Sequence, residues 1–386
     1  MIAKPNTQIR SAFAILTAML LFSAGPLSAA TGSEKTTTKP RPKVQVAFLL
    51  DTSSSMDGLI NQARTHLWDI VNTIATGKRR GVVPHIEIAL YEYGNSRLSR
   101  SSGYIRQVVP FSQDLDALSE ALFALTTNGG DEYCGWVLKE AAGLDWSAQQ
   151  GVYRSVFIAG NESFEQGSVP YKTIMHDLRN RGIIVNTIFC GGYQDGISQQ
   201  WLAGAQAGAG QYTVIDQNKA AVQVAAPQDQ RLLQLNQALN QTYLAYGARA
   251  KKAKERQEKQ DDAAGSMGQS AKVERAVAKT SSSYQSAAWD FVGQLADGNA
   301  APMEEAVAAE VADLPEAERE AKAEELKQAA EAKLAERRKI QTEIKELSKE
   351  RRAFLAKQKN KDKGTMSEAM RTMIQTQMRA AGYQFK

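Results

Sequence analysis

The first part of the chain alternates short, continuously apolar runs with longer runs in which apolar residues recur at helical spacing. Residues 44–50 (VQVAFLL) are almost entirely apolar, which is typical of a strand covered on both faces of a parallel sheet. From Leu59 the apolar positions recur every three or four residues, as on one face of a helix. Further strand-like runs lie at 85–93, 104–111, 153–159, 183–190 and 211–215. The alternation predicts an α/β fold with a doubly wound, mostly parallel sheet.

The composition changes at about residue 225, after which Ala, Glu, Lys, Gln and Arg dominate and the pattern is helical. We therefore expect an α-helical, partly coiled-coil C-terminal region after the α/β domain. The predicted segments are a signal peptide at 1–30, a linker at 31–42, an α/β domain at 43–225, a long helix at 226–262, a flexible joint at 263–283 and a helical region at 284–386.

The helix predicted over about 315–359 carries a short heptad seam. Ile340, Ile344 and Leu347 alternate by four and three, as a coiled coil requires. Two alternatives fit this seam: a helical hairpin onto the earlier long helix, or a homo-oligomer. A last short helix with Met370 and its apolar neighbours could pack on the domain, dock on a partner or touch a membrane.

The N-terminus has the pattern of a secretory signal. Lys4 and Arg10 precede an apolar run at 12–24 that is short for a bilayer span, and small residues follow it. We predict cleavage near Ala29 or Ala30 and a periplasmic or secreted protein, with an uncleaved membrane anchor as the alternative. The net charge of +5 includes two positive charges from this segment, so charge gives no argument for nucleic-acid binding.

Three oxygen-bearing side chains follow the first predicted strand at alternate positions: Asp51, Ser53 and Ser55. In a doubly wound sheet, ligand sites lie outside the carboxyl ends of the strands. One carboxylate and two hydroxyls suit a hard divalent cation, Mg²⁺ or Ca²⁺. The alternative is that Asp51 only caps the helix that follows.

Residues 51–55 (DTSSS), at the end of an apolar strand and before an amphipathic helix, resemble the DxSxS motif of von Willebrand factor A (VWA) and integrin I-like domains. The resemblance covers about residues 44–225 and implies a metal-ion-dependent adhesion site that engages a partner protein. Family members commonly add a Thr after a Gly-rich second loop and an Asp at the end of the fourth strand. Here Asp131 follows the glycine pair, and Gly160 stands where the second Asp is expected.

These departures make the implied metal site atypical, and two interpretations remain open. In the first, the carboxylate missing at the end of the fourth strand is replaced by Asp131 on the second loop, and Asn161 or Glu162 holds a water molecule in the outer shell of the metal. In the second, the loops keep the fold but no longer bind metal. The candidate ligands are Asp51, Ser53, Ser55, Thr127, Asp131, Asn161 and Glu162.

Cys134 and Cys190 are the only cysteines, and both are expected near the same end of the sheet. In an exported chain they form either a disulfide or two buried thiols. Phe164, flanked by polar residues, is expected to be an exposed contact residue.

An enzyme is not expected, because no histidine lies within the candidate loops. Glu132 and Glu162 leave a metal-dependent hydrolase as one alternative. The leading hypothesis is an exported protein-binding module with a divalent-metal site and a helical arm for docking or assembly. A structural scaffold with a vestigial metal site, in which the helical half carries the interaction, is the other alternative.

Overall fold

The computed structural model describes one structural unit within residues 41–386. The described ranges are 41–216, 218, 224–247, 250–296, 307–308, 310–358 and 366–385. The predicted signal peptide and nearly all of the predicted linker lie outside these residues. In the part of the chain that is described, no helix is long and apolar enough to cross a membrane.

Six strands form one sheet at the centre of the unit. They are β1 (Lys43–Asp51), β2 (His85–Tyr93), β3 (Ile105–Ser112), β4 (Tyr153–Gly160), β5 (Ile184–Cys190) and β6 (Ala209–Ile215). Their order in space is β3-β2-β1-β4-β5-β6. Every pairing is parallel except that of β2 with the edge strand β3. The predicted doubly wound, mostly parallel sheet is confirmed.

Strand β1 is central because both of its faces are apolar. Every residue after Lys43 in this strand is buried. Phe48 and Leu50 belong to the hydrophobic core on one face of the sheet, and Ala47 and Leu49 belong to the core on the other face. β1 pairs with β2 on one side and with β4 on the other, so the chain reverses its direction of winding here. Such a switch point is where doubly wound sheets place their ligands.

Helices cover both faces of the sheet. The helices before β6 are α1 (Asp57–Thr76), α2 (Leu115–Phe123), α3 (Cys134–Ala142), α4 (Tyr171–Asn180), α5 (Tyr193–Ser198) and α6 (Trp201–Ala207). Those after it are α7 (Asp229–Asn240), α8 (Ala250–Ser266), α9 (Gln269–Ala278), α10 (Phe291–Ala296), α11 (Glu316–Lys357) and α12 (Met366–Ala380).

The last helix, α12, belongs to the α/β domain and not to the helical region in which the sequence placed it. Met370, Ile374 and Met378 are buried in the core that also contains α1 and one face of β1. Packing on the domain, one of the three alternatives for this helix, is therefore what the structure shows. Helices α7–α11 form an insertion between β6 and α12, and the domain is discontinuous in sequence.

The inserted helices differ from the predicted segments in two places. The long helix expected at 226–262 is divided into α7 and α8, and the joint expected at 263–283 contains α9. Polar composition suggested a flexible segment, yet the guanidinium of Arg275 in α9 is fully buried. It bonds to Asp116 (2.7 Å) and Asp261 (2.5 Å), and it lies 4.6 Å from the Trp68 ring. Paired charges let a polar segment enter the interior.

Helix α11 packs along the rest of the insertion. Ile340 and Ile344 lie in one apolar cluster with Leu235 and Leu239 of α7, and Leu334 lies in a second cluster with Phe291 of α10. The predicted heptad seam is therefore buried within the same chain, which is the intramolecular one of the two alternatives.

Candidate functional site

The candidate site begins where β1 ends, at the switch point. Asp51 is the last residue of β1 and is 0% exposed. Its Oδ1 accepts a hydrogen bond from the Ser53 backbone amide (2.7 Å), which closes a tight turn before the 3-10 helix Ser54–Met56 and α1. Asp51 therefore shapes the turn with one oxygen only, and its other oxygen is directed elsewhere.

Ser53, Ser55 and Asn161 form a connected polar group beside Asp51. The hydroxyl oxygens of Ser53 and Ser55 are 3.4 Å apart, and the Asn161 side-chain amide donates to the Ser55 hydroxyl (3.2 Å). Asn161 follows β4, so the ends of two adjacent parallel strands supply these groups. Ser53 is buried and Ser55 is exposed, so the group leads from the interior to the surface.

Glu132, and not Asp131, is the carboxylate that the second loop places near Asp51. Glu132 is buried, and the Ser53 side chain is near enough to lower the pKa of its carboxyl group. Its backbone amide donates to the side chain of Gln166 (2.6 Å). Asp131 is exposed and accepts a hydrogen bond from the Tyr133 hydroxyl (2.9 Å). The sequence indicated that this loop carries a carboxylate, but the identity of the inward residue depends on loop register.

The two buried carboxyl groups resist ionisation. The pKa of Asp51 is raised from 3.8 to about 7, chiefly by burial, and the nearby charge of Glu162 adds to the shift. The pKa of Glu132 is raised from 4.5 to about 8, first by burial and then by the charges of Asp51 and Glu162. Burial and like charges both disfavour the carboxylate form. An added cation would relieve both effects.

Two oxygen atoms in this group are buried and have no hydrogen-bond partner among the described residues. They are Asp51 Oδ2 and Asn161 Oδ1. Buried polar atoms in native proteins almost always have partners, so an exception points to a ligand, an ion or a water. Both atoms are oxygens, and oxygen is the donor that Mg²⁺ and Ca²⁺ prefer.

Glycines allow two loops to pass close to Asp51. Gly94 has a φ of 78°, and a Cβ on it would lie 2.8 Å from both Asp51 Oδ1 and Glu132 Cγ. A Cβ on Gly130 would lie 2.5 Å from the Gly94 carbonyl oxygen. Larger residues at these positions would push the loops away from the carboxyl groups.

The remaining sequence candidates lie around this group. The Thr127 hydroxyl donates to the carboxylate of Asp57 (2.5 Å) at the start of α1. Glu162 is exposed, although its charge acts on both Asp51 and Glu132. The structure thus brings together Asp51, Ser53, Ser55 and Asn161, adds Glu132, and leaves Thr127 and Asp131 bonded to other residues.

The disulfide considered for Cys134 and Cys190 is not formed, and both are free, buried thiols. They lie in the cores on opposite faces of the sheet. The Cys134 thiol is instead 3.9 Å from the Tyr93 hydroxyl oxygen. Two thiols that point to opposite faces of a sheet cannot be bridged without moving the backbone.

Phe164 is fully buried, so the expectation that it is an exposed contact residue is wrong. Its ring packs edge-to-face against Tyr171 and Trp201, with centroid distances of 4.9 Å to each. The polar neighbours in the sequence concealed this packing.

The donor set fits a hard divalent cation. It has two carboxylates, two hydroxyls and one side-chain amide, all of which can offer oxygen. In the described ranges, no three His, Cys, Asp or Glu side chains are grouped to hold a metal. Any cation here would thus depend on the hydroxyl and amide oxygens as well, and would keep water or a partner's oxygen in its coordination shell.

No protein-family model and no curated protein matches the chain. Among solved structures, it is similar to the conserved hypothetical protein BatB from Bacteroides thetaiotaomicron, with 15% identity over 45% of this chain and 90% of that chain, and a TM-score of 0.34. A von Willebrand factor type A structure from Catenulispora acidiphila has 16% identity over 45% of this chain and 39% of that chain, with a TM-score of 0.34.

A third similar structure is proximal thread matrix protein 1 from the mussel byssus with a zinc-occupied MIDAS motif. It has 16% identity over 45% of this chain and 42% of that chain, and a TM-score of 0.35.

Proposed function

We propose that this chain, whose α/β domain is VWA-like, is an exported binding module that captures a partner protein through a divalent cation. The cation would be held by Asp51, Ser53, Ser55, Glu132 and Asn161. Mg²⁺ and Ca²⁺ are the candidates, because every proposed donor atom is an oxygen and hard cations prefer oxygen.

The buried, unpartnered Oδ2 of Asp51 carries this proposal. A carboxylate at this depth costs free energy unless a positive charge or hydrogen-bond donors compensate it. Asp51 and Glu132 both have raised pKa values, and no ion pair within the described part of the chain involves either carboxyl group. A dication would supply the missing charge to both groups at once.

The position of the site supports capture of a partner. Ser55 is exposed, so a cation bound next to it could be reached from the solvent. Two protein carboxylates would neutralise most of the charge of a dication, which weakens its attraction for a third carboxylate. The partner group that completes the coordination is therefore a weaker acceptor, such as a carbonyl oxygen.

A binding module, not an enzyme, suits the placement of the three histidines. His66 lies within α1 and His176 lies within α4. His85 begins β2, at the end of the sheet opposite to Asp51. A metal-dependent hydrolase would have to use Glu132 or Glu162 as its base, whereas the proposal assigns Glu132 to the cation and Glu162 is exposed to the solvent.

Titration calorimetry on the full chain tests the cation. Mg²⁺ and Ca²⁺ are added to the wild-type protein and to the Asp51→Asn and Asp131→Asn variants. We expect wild-type binding that Asp51→Asn abolishes and that Asp131→Asn leaves unchanged, since Asp131 bonds to Tyr133 at the surface. Both variants keep the size of the side chain, and thermal unfolding reports whether each is folded.

Capture of a protein from envelope extract is then compared with and without EDTA, for the wild type and for Asp51→Asn. Partner capture that depends on both the cation and Asp51 would support the proposal. If wild-type protein binds neither cation, or if Asp51→Asn binds as tightly, the metal-dependent function is wrong. The alternative would then be a scaffold in which the inserted helices α7–α11 carry the interaction.

A further inference from the structure

The chain makes a tight, exposed turn directly after α1. The Arg79 amide donates to the Val82 carbonyl (3.0 Å), and the Val82 amide donates to the Arg79 carbonyl (3.1 Å). The two central residues, Arg80 and Gly81, have φ values of 53° and 79°. Positive φ at both central positions defines a type I′ turn. We call residues 78–82 the basic turn.

Arg80 is not the residue that the turn itself favours. The first central position of a type I′ turn is usually Asn, Asp or Gly, because other L-residues are strained at positive φ. A Cβ on Gly81 would meet nothing within 4 Å, so packing against neighbouring atoms does not determine which residues stand at the tip of the turn. A strained residue that keeps a positive charge at an exposed tip points to a role for that charge.

Further positive charges surround the basic turn. Within the described residues, Lys78, Arg80, Lys345 and Arg379 take part in no ion pair, although the chain forms ion pairs elsewhere. The pKa of Lys345 is lowered by burial and by the charge of Lys78, so α11 brings a lysine close to this turn.

The C-terminal residues bring another cation to the same place. Gln384 exchanges two backbone hydrogen bonds with Lys78 (2.9 and 2.8 Å). The ring of the next residue, Phe385, lies 5.2 Å from the Arg379 guanidinium. Cations from three separate elements therefore share one surface, and among the described residues none of them pairs with a carboxylate.

An exposed apolar side chain lies within this positive surface. Val82 is 45% exposed, and among the described residues the only other large hydrophobic side chain of this kind is Tyr193. Unpaired cations next to an exposed apolar side chain could bind a surface that carries negative charges above an apolar layer.

We propose that the basic turn, together with Lys345 and Arg379, binds an anionic phospholipid membrane. Attraction to anionic lipids adds up over the cations and requires no shape complementarity. An acidic protein is less suitable, because stable protein interfaces depend on larger apolar or aromatic centres than one valine.

This contact would leave the candidate cation site free. Helix α1 has 20 residues and spans about 30 Å between the two places. Its first turn follows the Asp51 loop and its last turn precedes Lys78. A membrane at the basic turn would thus face the end of the domain opposite to the site.

Vesicle co-sedimentation of the full chain tests this proposal. Binding to vesicles that contain phosphatidylglycerol is compared with binding to pure phosphatidylcholine vesicles. The readout is the difference in binding between the test variant and a control variant, because an N-terminal segment with Lys4 and Arg10 would contribute equally to both. The test variant is Lys78→Gln/Arg80→Asn, and Asn suits positive φ better than Arg does. The matched control, Lys251→Gln/Lys252→Gln, removes two exposed lysines from α8.

We expect the wild type to prefer anionic vesicles and to lose this preference at high salt. The test variant should bind anionic vesicles about thirtyfold more weakly without any loss of thermal stability, while the control binds like the wild type. Equal wild-type binding to both vesicle types, or undiminished binding of the test variant, would overturn the proposal. So would wild-type protein that ignores vesicles but binds polyglutamate through Lys78 and Arg80, since that result indicates an acidic protein partner.

Discussion

The hydroxyl oxygen of Tyr93 lies 2.5 Å from the point where a Cβ on Gly160 would stand. Tyr93 ends β2 and Gly160 ends β4, so the tyrosine reaches across the end of β1. Its hydroxyl donates to the carbonyl oxygen of Ala159 (3.0 Å). The space that a side chain at position 160 would need is filled, so the aspartate implied by the VWA resemblance would not fit there without a movement of Tyr93.

This contact predicts that the effects of mutations at the two positions are not additive. Gly160→Ala should lower the free energy of unfolding by about 1–3 kcal/mol, because the new methyl group meets the Tyr93 hydroxyl. Tyr93→Phe alone should cost about 1 kcal/mol for the lost hydrogen bond. In the double variant the methyl group has room, so the total cost should be less than the sum. Urea unfolding of all four proteins measures the coupling, and simple additivity would contradict the contact.

The stability of the cation-free protein should fall as the pH rises from about 5 to about 8. Asp51 and Glu132 have folded-state pKa values of about 7 and about 8, against the ordinary values of 3.8 and 4.5 that apply in the unfolded chain. Raised carboxyl pKa values stabilise the fold at low pH, and this contribution is lost as the pH passes through the folded-state values. Urea unfolding in EDTA across this range measures the trend.

The Asp51→Asn variant isolates the share of Asp51 in that trend. Asn carries no charge, so at pH 8 the variant should be more stable than the wild type by about 4 kcal/mol, and at pH 5 by about 2 kcal/mol or less. Added Mg²⁺ or Ca²⁺ should stabilise the wild type more at pH 8 than at pH 6, because the cation competes with protons for the carboxylates. If the difference in free energy of unfolding between the wild type and the variant is the same at pH 5 and at pH 8, Asp51 does not titrate in this range.

The two acidic residues of the second loop should differ in their effect on cation affinity. Glu132→Gln removes the buried carboxylate beside Asp51, whereas Asp131→Asn changes a side chain at the surface. We expect the first variant to weaken Mg²⁺ or Ca²⁺ binding at least about tenfold, equivalent to about 1.4 kcal/mol, and the second to have almost no effect. Calorimetric titration at pH 8 compares them. The reverse order would restore Asp131 to the inner position that the sequence suggested.

Much of this architecture was predictable because hydrophobic periodicity reflects burial directly. The apolar run at 44–50 indicated a central strand, and the alternate positions of Asp51, Ser53 and Ser55 indicated a polar group at its carboxyl end. Asn161 was foreseen near this group from the VWA resemblance, which implies a ligand at the end of the fourth strand. The central strand and the polar group of residues 51–55 depend on residues that are close in sequence.

The features that sequence patterns missed depend on contacts between distant residues. Whether Asp131 or Glu132 faces inward is decided by loop register, which Gly94 and Gln166 set from other parts of the chain. The burial of Arg275 depends on Asp116, far away in α2. The methionines of α12 would suit any apolar surface, so they do not determine where this helix packs. Its position on the sheet depends instead on buried hydrogen bonds between Gln377 and the strands β4 and β5.

Gln377 of α12 forms these buried hydrogen bonds and holds the helix on the sheet. Its side chain accepts from the Tyr153 hydroxyl (2.7 Å) and donates to Asn186 Oδ1 (2.6 Å). Gln377→Ala would leave buried polar groups on β4 and β5 without these partners, so we expect it to lower the free energy of unfolding by about 2–4 kcal/mol. Thr376→Ala, at an exposed position of the same helix, should change it by less than about 0.5 kcal/mol. Urea unfolding of both variants decides, and equal effects would mean that α12 is held by its methionines alone.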